Sequence, residues 1–165
     1  TKIIDDVLYA SDIQNMPVNL ESVNIGDVIV DVSTNYKELL PKDGKMIIAP
    51  INADIMATTD RALLAKTLTL VVDNAVKFAG NSTITIAAKQ DDSHAEITVS
   101  DCGKGIPKDK SEWVFEEFTK VDDFTQGTGL GLAICRELVK RLHGSIYIDT
   151  NYTKGCRMVI SLPLT

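Results

Sequence analysis

Cysteines, long apolar runs and basic residues are all in short supply in this chain of 165 residues, and each shortage excludes something. Its three cysteines, Cys102, Cys135 and Cys156, are odd in number, widely spaced and without a CxxC pair. Neither a disulfide framework nor a zinc site is therefore indicated, and a reducing compartment fits best. No stretch approaches the roughly 20 apolar residues of a membrane span, and no charged-then-apolar signal segment opens the chain. Basic residues are outnumbered, 17 Lys and Arg against 23 Asp and Glu, leaving a formal charge of -6. Binding to phosphate backbones is driven by clustered Lys and Arg, so no nucleic-acid partner is expected. The chain opens on Thr1 rather than Met, and the expectation is an excised fragment.

What is present is a globular balance of 44% hydrophobic and 24% charged residues, enough for one main domain with at most a stub beside it. Residues 1–16 place Ile4, Val7, Leu8 and Ile13 at helical spacing ahead of Pro17, as the tail of a longer helix would, and form that stub. In "NIGDVIVDVSTNYKELL", Ile25, Val28, Ile29, Val32, Tyr36 and Leu39 make one helical stripe behind an Asn24 cap, with Pro41 and Gly44 as its end. "KMIIAPIN" reads as a short strand. A long helix is expected from Thr58 to Ala79, burying Leu64, Leu68, Val71, Ala75 and Phe78 and stopping at Gly80.

Two alternating segments, "STITIAAK" and "AEITVSD", flank the polar turn "QDDSH" and predict an antiparallel hairpin. "LGLAICRELVKRLHG" predicts another helix, and "SIYID" and "CRMVISLPL" predict closing strands. The fold class expected is α/β: a two-layer sandwich of a mixed, largely antiparallel sheet and about three helices.

Three short motifs carry chemistry. Alternation places Asp101 on the strand face of Ala95, Ile97 and Val99, so a carboxylate ends an apolar row and needs donors, while Gly103 and Gly105 leave space beside it. A donor-bearing ring such as adenine suits that space; the plainer reading is an Asp that caps its own turn. Asn74 and Lys77 are neighbours on the long helix, an amide oxygen fit for Mg²⁺ and an ammonium fit for phosphate. The plainer reading there is a solvated stripe in which Asp73 pairs with Lys77. Finally, Gly127, Gly129 and Gly131 alternate just before a helix, where bare backbone amides and the positive helix end make a phosphate cradle. The stretch is not a P-loop, which needs GxxxxGK[ST], nor a dinucleotide fingerprint, because Leu132 stands where the third glycine belongs.

In order along the chain, "DNAVKF", "DCGKGI", "VFEEF" and "GTGLGL" resemble the N, G1, F and G2 boxes of sensor histidine kinase catalytic domains. These domains belong to a superfamily shared with gyrase, MutL and a heat-shock chaperone. The resemblance covers about residues 20–163 and implies the Bergerat ATP-binding fold. It further implies that Asn74 ligates Mg²⁺ and that Lys77 touches phosphate, the pair serving as the catalytic residues. Asp101 would accept from the adenine amino group, with Phe78, Gly103, Gly105, Ile106 and Lys120 also in the ATP site. Gly127, Thr128, Gly129, Leu130, Gly131 and Leu132 would wrap the triphosphate. Phe115 and Phe118 would anchor a lid through "TKVDDFTQ", although both also suit a core.

On this resemblance residues 1–16 are the C-terminal end of a dimerisation and phosphoacceptor helix, and residues 17–165 are the catalytic domain. The implied activity is transfer of the γ-phosphoryl of Mg-ATP to a histidine on the absent helix, and onward to a response regulator. His94, in the hairpin turn, and His143, in the last turn of a helix, are read as structural. The fragment is expected to be monomeric, the full-length protein a homodimer, and the chain the cytoplasmic portion of a membrane-anchored kinase.

Three positions depart from the family pattern. Leu70 stands four residues before Asn74, where histidine kinases often carry Asn and the related ATPases a Glu base, so gyrase-type hydrolysis is not expected. The lid has no Arg between Phe118 and Gly127, only Lys120. Arg157 stands where a small hydroxyl residue is more usual. Leu70 and the Arg-free lid motivate the alternative, a degenerate nucleotide-sensing module without phosphotransfer; a serine kinase of the anti-sigma-factor type is a third reading, which the helical stub opposes.

Overall fold

The structure, a computed structural model, describes residues 13–36, 45–48, 54–79, 82–103, 105–116 and 131–164, without the side chains of residues 14, 36, 45–48, 78 and 79. Strand β1 (Glu21–Asn24) leads into helix α1 (Ile25–Tyr36), then β2 (Lys45–Ile48), β3 (Met56–Thr59), helix α2 (Arg61–Ala79), β4 (Thr83–Gln90), β5 (His94–Ser100), helix α3 (Gly131–Arg141), β6 (Ser145–Ile148) and β7 (Arg157–Pro163). Short 3₁₀ turns occupy Ile13–Asn15, Lys108–Lys110 and Trp113–Phe115.

Five strands form one sheet in the order β2-β4-β5-β7-β6, with β2 and β4 parallel and every other pair antiparallel. All three helices pack on that sheet or on each other, α2 touching α1, α3, β4 and β5. The mixed sheet with three α-helices among the described residues is the α/β sandwich expected from the sequence.

Local chemistry explains the elements. The Asn24 side chain accepts from the Asp27 amide at 3.3 Å, the expected cap of α1, and Ile25, Val28, Ile29 and Val32 of its stripe are buried. The β4–β5 hairpin pairs Gln90 with Ala95, and Asp91 Oδ1 closes its turn by accepting from the amides of Ser93 and His94, each at 2.8 Å. His94 is the first residue of β5 rather than a turn residue, because its backbone also lies opposite Pro163 of β7.

The long helix starts later than its periodicity implies. Thr58 and Thr59 belong to β3, which pairs antiparallel with β1 through Ser22↔Thr58 and Glu21↔Thr59, and the β-branched threonines suit that extended state. Asp60 then stops the strand and caps α2, its Oδ1 accepting from the Leu63 amide at 3.1 Å while Oδ2 takes the Asn19 amide at 2.9 Å. Leu64, Leu68, Val71 and Ala75 are buried as expected.

Helix α3 ends in a Schellman arrangement: the His143 amide donates to the Lys140 carbonyl and the Gly144 amide to the Val139 carbonyl. His143 lies beyond the helix at φ 62 and exposed, not in its last turn. Gly144 is needed one residue further on, since a Cβ there would lie 2.3 Å from the Ser161 carbonyl oxygen. Ile13 is 1% exposed within the same apolar cluster as α1 and α2, and Arg141 of α3 donates to the Met16 carbonyl. The remaining stub residues 1–12, Leu39, Pro41, Gly44 and Gly80 lie outside the described residues, as does the Tyr36 side chain.

Candidate functional site

Asp101 follows directly on β5. Ala95, Ile97, Val99 and Asp101 are each no more than 2% exposed, so strand alternation does carry a carboxylate to the end of an apolar row. Four hydrogen bonds hold it. Its Oδ1 accepts from the Gly103 amide at 2.9 Å and the Cys156 amide at 3.3 Å, its amide donates to the Cys156 carbonyl at 2.8 Å, and its carbonyl accepts from the Tyr152 hydroxyl at 3.0 Å. The turn-capping bond to Gly103 is thus present, so the plainer reading of this Asp accounts for one carboxylate oxygen. Burial pushes the carboxyl above its ordinary value, and the two amides pull it partly back.

The segment after Asp101 is shaped by glycine. Gly105 has φ +73, and a Cβ on it would meet the Gly155 carbonyl oxygen at 3.0 Å. Gly103 is half-buried, and Ile106 packs its side chain partly against the core. The amide of Cys102 donates to Ser82 Oγ at 3.2 Å, tying this segment to the start of β4.

Asn74 and Lys77 lie in the second half of α2, the helix that packs on both β5 and α3. Asn74 is half-buried, and Lys77 Nζ is 3.1 Å from Asp73 Oδ2, so the ion pair of the plainer reading is formed. Leu70, one turn earlier, is buried at 7% exposure and presents only hydrocarbon. Helix α3 begins at Gly131, and Leu132 turns its side chain into the core, leaving backbone N–H groups as what that end offers an anion.

Phe115 is buried in the core cluster, with the Arg136 guanidinium of α3 stacked 4.7 Å from its ring centroid and bonded to Glu112 at 2.7 Å. Phe118, Lys120, Gly127, Thr128, Gly129 and Leu130 lie outside the described residues, as does the Phe78 side chain. No group of three metal-ligating His, Cys, Asp or Glu side chains occurs among the described residues. Cys102 is exposed, Cys135 and Cys156 are buried, and all three are free thiols; burial and the neighbouring Asp101 push the Cys156 thiol up to about 12.

Three residues beside Asp101 escape the motifs. Gly155 is legible in retrospect, since a glycine just before a strand often marks close backbone approach. Cys156 and Tyr152 act through a backbone and a hydroxyl respectively, and neither leaves a pattern in the sequence.

The mixed sheet and the three helices define the class, an α/β sandwich with a buried carboxylate at a strand end beside a glycine turn. A family model described as "Histidine kinase-, DNA gyrase B-, and HSP90-like ATPase" matches residues 59–165, and the chain belongs to that family. Among curated proteins it is 29% identical over 171 residues to the sensor histidine kinase RcsC of Escherichia coli K12 and 28% identical over 170 residues to the adaptive-response sensory kinase SasA of Synechocystis. Each alignment takes in 99% of this chain, but only 18% and 44% of those relatives. Among solved structures, the nucleotide-free catalytic domain of the histidine kinase ThkA superposes with a TM-score of 0.80 at 27% identity, covering 89% of this chain and 97% of that one. The mycobacterial sensor histidine kinase MprB gives 0.78 at 26% identity, covering 88% and 97%.

Proposed function

We propose that the chain is the catalytic domain of a sensor histidine kinase, which binds Mg-ATP and passes the γ-phosphoryl to a histidine on a dimerisation domain. Residues 1–16 would be the end of that domain's helix, residues 17–165 the catalytic domain, and a response regulator the final acceptor. The observation that carries this reading is the buried Asp101 carboxylate, whose Oδ1 is committed to two amides; Oδ2 would accept from the amino group of adenine. A carboxylate kept against a core costs several kcal/mol in isolation, and a donor-bearing base offsets part of that cost.

Asn74 offers a single neutral oxygen, which fits a Mg²⁺ ion that arrives already held by nucleotide phosphates rather than a protein-caged metal. When bound, that ion supplies charge neutralisation at the phosphates. Lys77, released from Asp73, adds a further positive charge, and the amides before and at the start of α3 bind and orient the phosphate chain. Leu70 puts hydrocarbon rather than a base at its position, so the chain is expected to favour transfer over hydrolysis.

Calorimetric titration of ATP, with and without Mg²⁺, against wild type and Asp101→Asn tests the pocket. Binding that is lost in the variant supports it; equal binding in both removes Asp101 from the site. Phosphotransfer to a separately supplied dimerisation domain then tests the chemistry, with loss expected on Asn74→Ala. Leu70 and the Lys77–Asp73 pair favour one second reading, a module that senses ATP without transferring phosphate, which predicts binding with no transfer to any acceptor.

A further inference from the structure

The turn between β6 and β7, residues 149–156, lies outside the four boxes, yet it grips Asp101 through both Cys156 and Tyr152. Tyr152 is itself clamped. The Arg157 guanidinium lies 4.2 Å from its ring centroid, while Arg157 Nε donates to Ser100 Oγ at 2.8 Å and a terminal nitrogen sits 3.8 Å from Asp149 Oδ2. The Tyr152 amide adds a bond to the Asp149 carbonyl at 3.2 Å. Ser100 and Arg157 are register partners at the ends of β5 and β7, so the clamp is rooted in the sheet.

The contacts form a closed circuit from Ser100 through Arg157 and Tyr152 back to Asp101, the residue after Ser100. With its guanidinium on Ser100, Asp149 and Tyr152, Arg157 is a clamp rather than a replacement for the Arg missing from the lid. The Tyr152 hydroxyl fixes the peptide that joins Asp101 to Cys102, and the next amide, that of Gly103, orients Oδ1. Rotation of that peptide would turn the carboxylate. The Tyr152 and Arg157 side chains are only half-buried, so the hydroxyl adds less to the core than to this orientation. Burial pushes the phenol above its ordinary value, and the hydroxyl is the donor because the Asp101 carbonyl oxygen can only accept.

We propose that Tyr152, held by Arg157, is a positioning residue that aims the Asp101 carboxylate at the exocyclic amino group of a purine base and thereby sets base discrimination. The inference rests on the nucleotide reading above and deepens it. Loss of the hydroxyl should weaken recognition of the amino group and leave the phosphate and ribose contacts unaffected.

The experiment titrates the 165-residue chain with ATP and with purine riboside triphosphate, which lacks only the 6-amino group, in wild type, Tyr152→Phe, Arg157→Lys and Arg157→Ala. Wild type should prefer ATP. Tyr152→Phe should lower ATP affinity by roughly 3- to 10-fold, the range of one hydrogen bond, with the analogue unchanged and the melting temperature little altered. Arg157→Lys, which keeps a cation over the ring, should fall between wild type and Arg157→Ala in discrimination. A wild-type discrimination ratio in Tyr152→Phe overturns the proposal, as does an equal loss on both nucleotides. If wild type binds neither nucleotide, the nucleotide reading itself fails; if Asp101→Asn binds ATP as well as wild type, only Asp101 leaves the site; this inference falls in either case.

Discussion

Gly155 lies so close to Asp101 that a Cβ on it would sit 2.2 Å from the Asp101 carbonyl oxygen and 2.9 Å from Oδ1. Gly105 also approaches the same glycine, a Cβ on it falling 3.0 Å from the Gly155 carbonyl oxygen. A side chain at position 155 would therefore strike the carboxylate the site is built around. Gly155→Ala is expected to destabilise the chain by about 1–3 kcal/mol, as overpacking does, and to weaken ATP binding as well. Urea denaturation and an ATP titration on the same variant check both effects.

Asp101 carries a pH signature. Because burial raises its folded-state value above that of the unfolded chain, the folded protein holds this proton more tightly. Its contribution to stability is greatest below the ordinary carboxylate value and falls as pH rises through the window up to the raised folded value. Asp101→Asn keeps an acceptor oxygen for the Gly103 and Cys156 amides, so it should melt above wild type at pH 7, with the gap closing in acid. Thermal melts across a pH series measure this, and a gap that widened in acid would contradict it. A more stable variant that no longer binds nucleotide would mark the carboxylate as retained for function.

At the end of α3 the two residues His143 and Gly144 should respond in opposite ways. His143 holds a left-handed backbone at φ 62, so His143→Gly relieves roughly 1 kcal/mol and should raise the melting temperature. Gly144→Ala drives a methyl into the Ser161 carbonyl and should cost about 1–3 kcal/mol. Chemical denaturation of the two variants side by side gives the signs.

Asp60 joins the small sheet to the long helix. Asp60→Ala removes the acceptor for the Leu63 and Asn19 amides and should cost about 1–2 kcal/mol, while Asp60→Asn, which retains a side-chain oxygen for the cap, should recover part of the loss. Equilibrium unfolding of both variants checks the order.

What the amino-acid sequence by itself determined is whatever depends on near neighbours. The stripe of α1 and its Asn24 cap, the β4–β5 hairpin closed by Asp91, and the burial of Asp101 at the end of its alternating row all follow from spacing and from side chains bonding amides two or three residues away. The four boxes likewise name a family through short motifs. The tertiary structure alone decided the pairing of β1 with β3, because four-residue strands separated by a whole helix are too short to show a period. It also decided that Ile13 joins the main core and that Thr58 and Thr59 leave the helix they seemed to begin. The grip on Asp101 is the clearest case: Tyr152 reaches its carbonyl across 51 residues, and such a contact exists only once β7 has paired beside β5. Local hydrogen bonding is written in adjacent residues, whereas a site assembled from two strand ends is a property of their register.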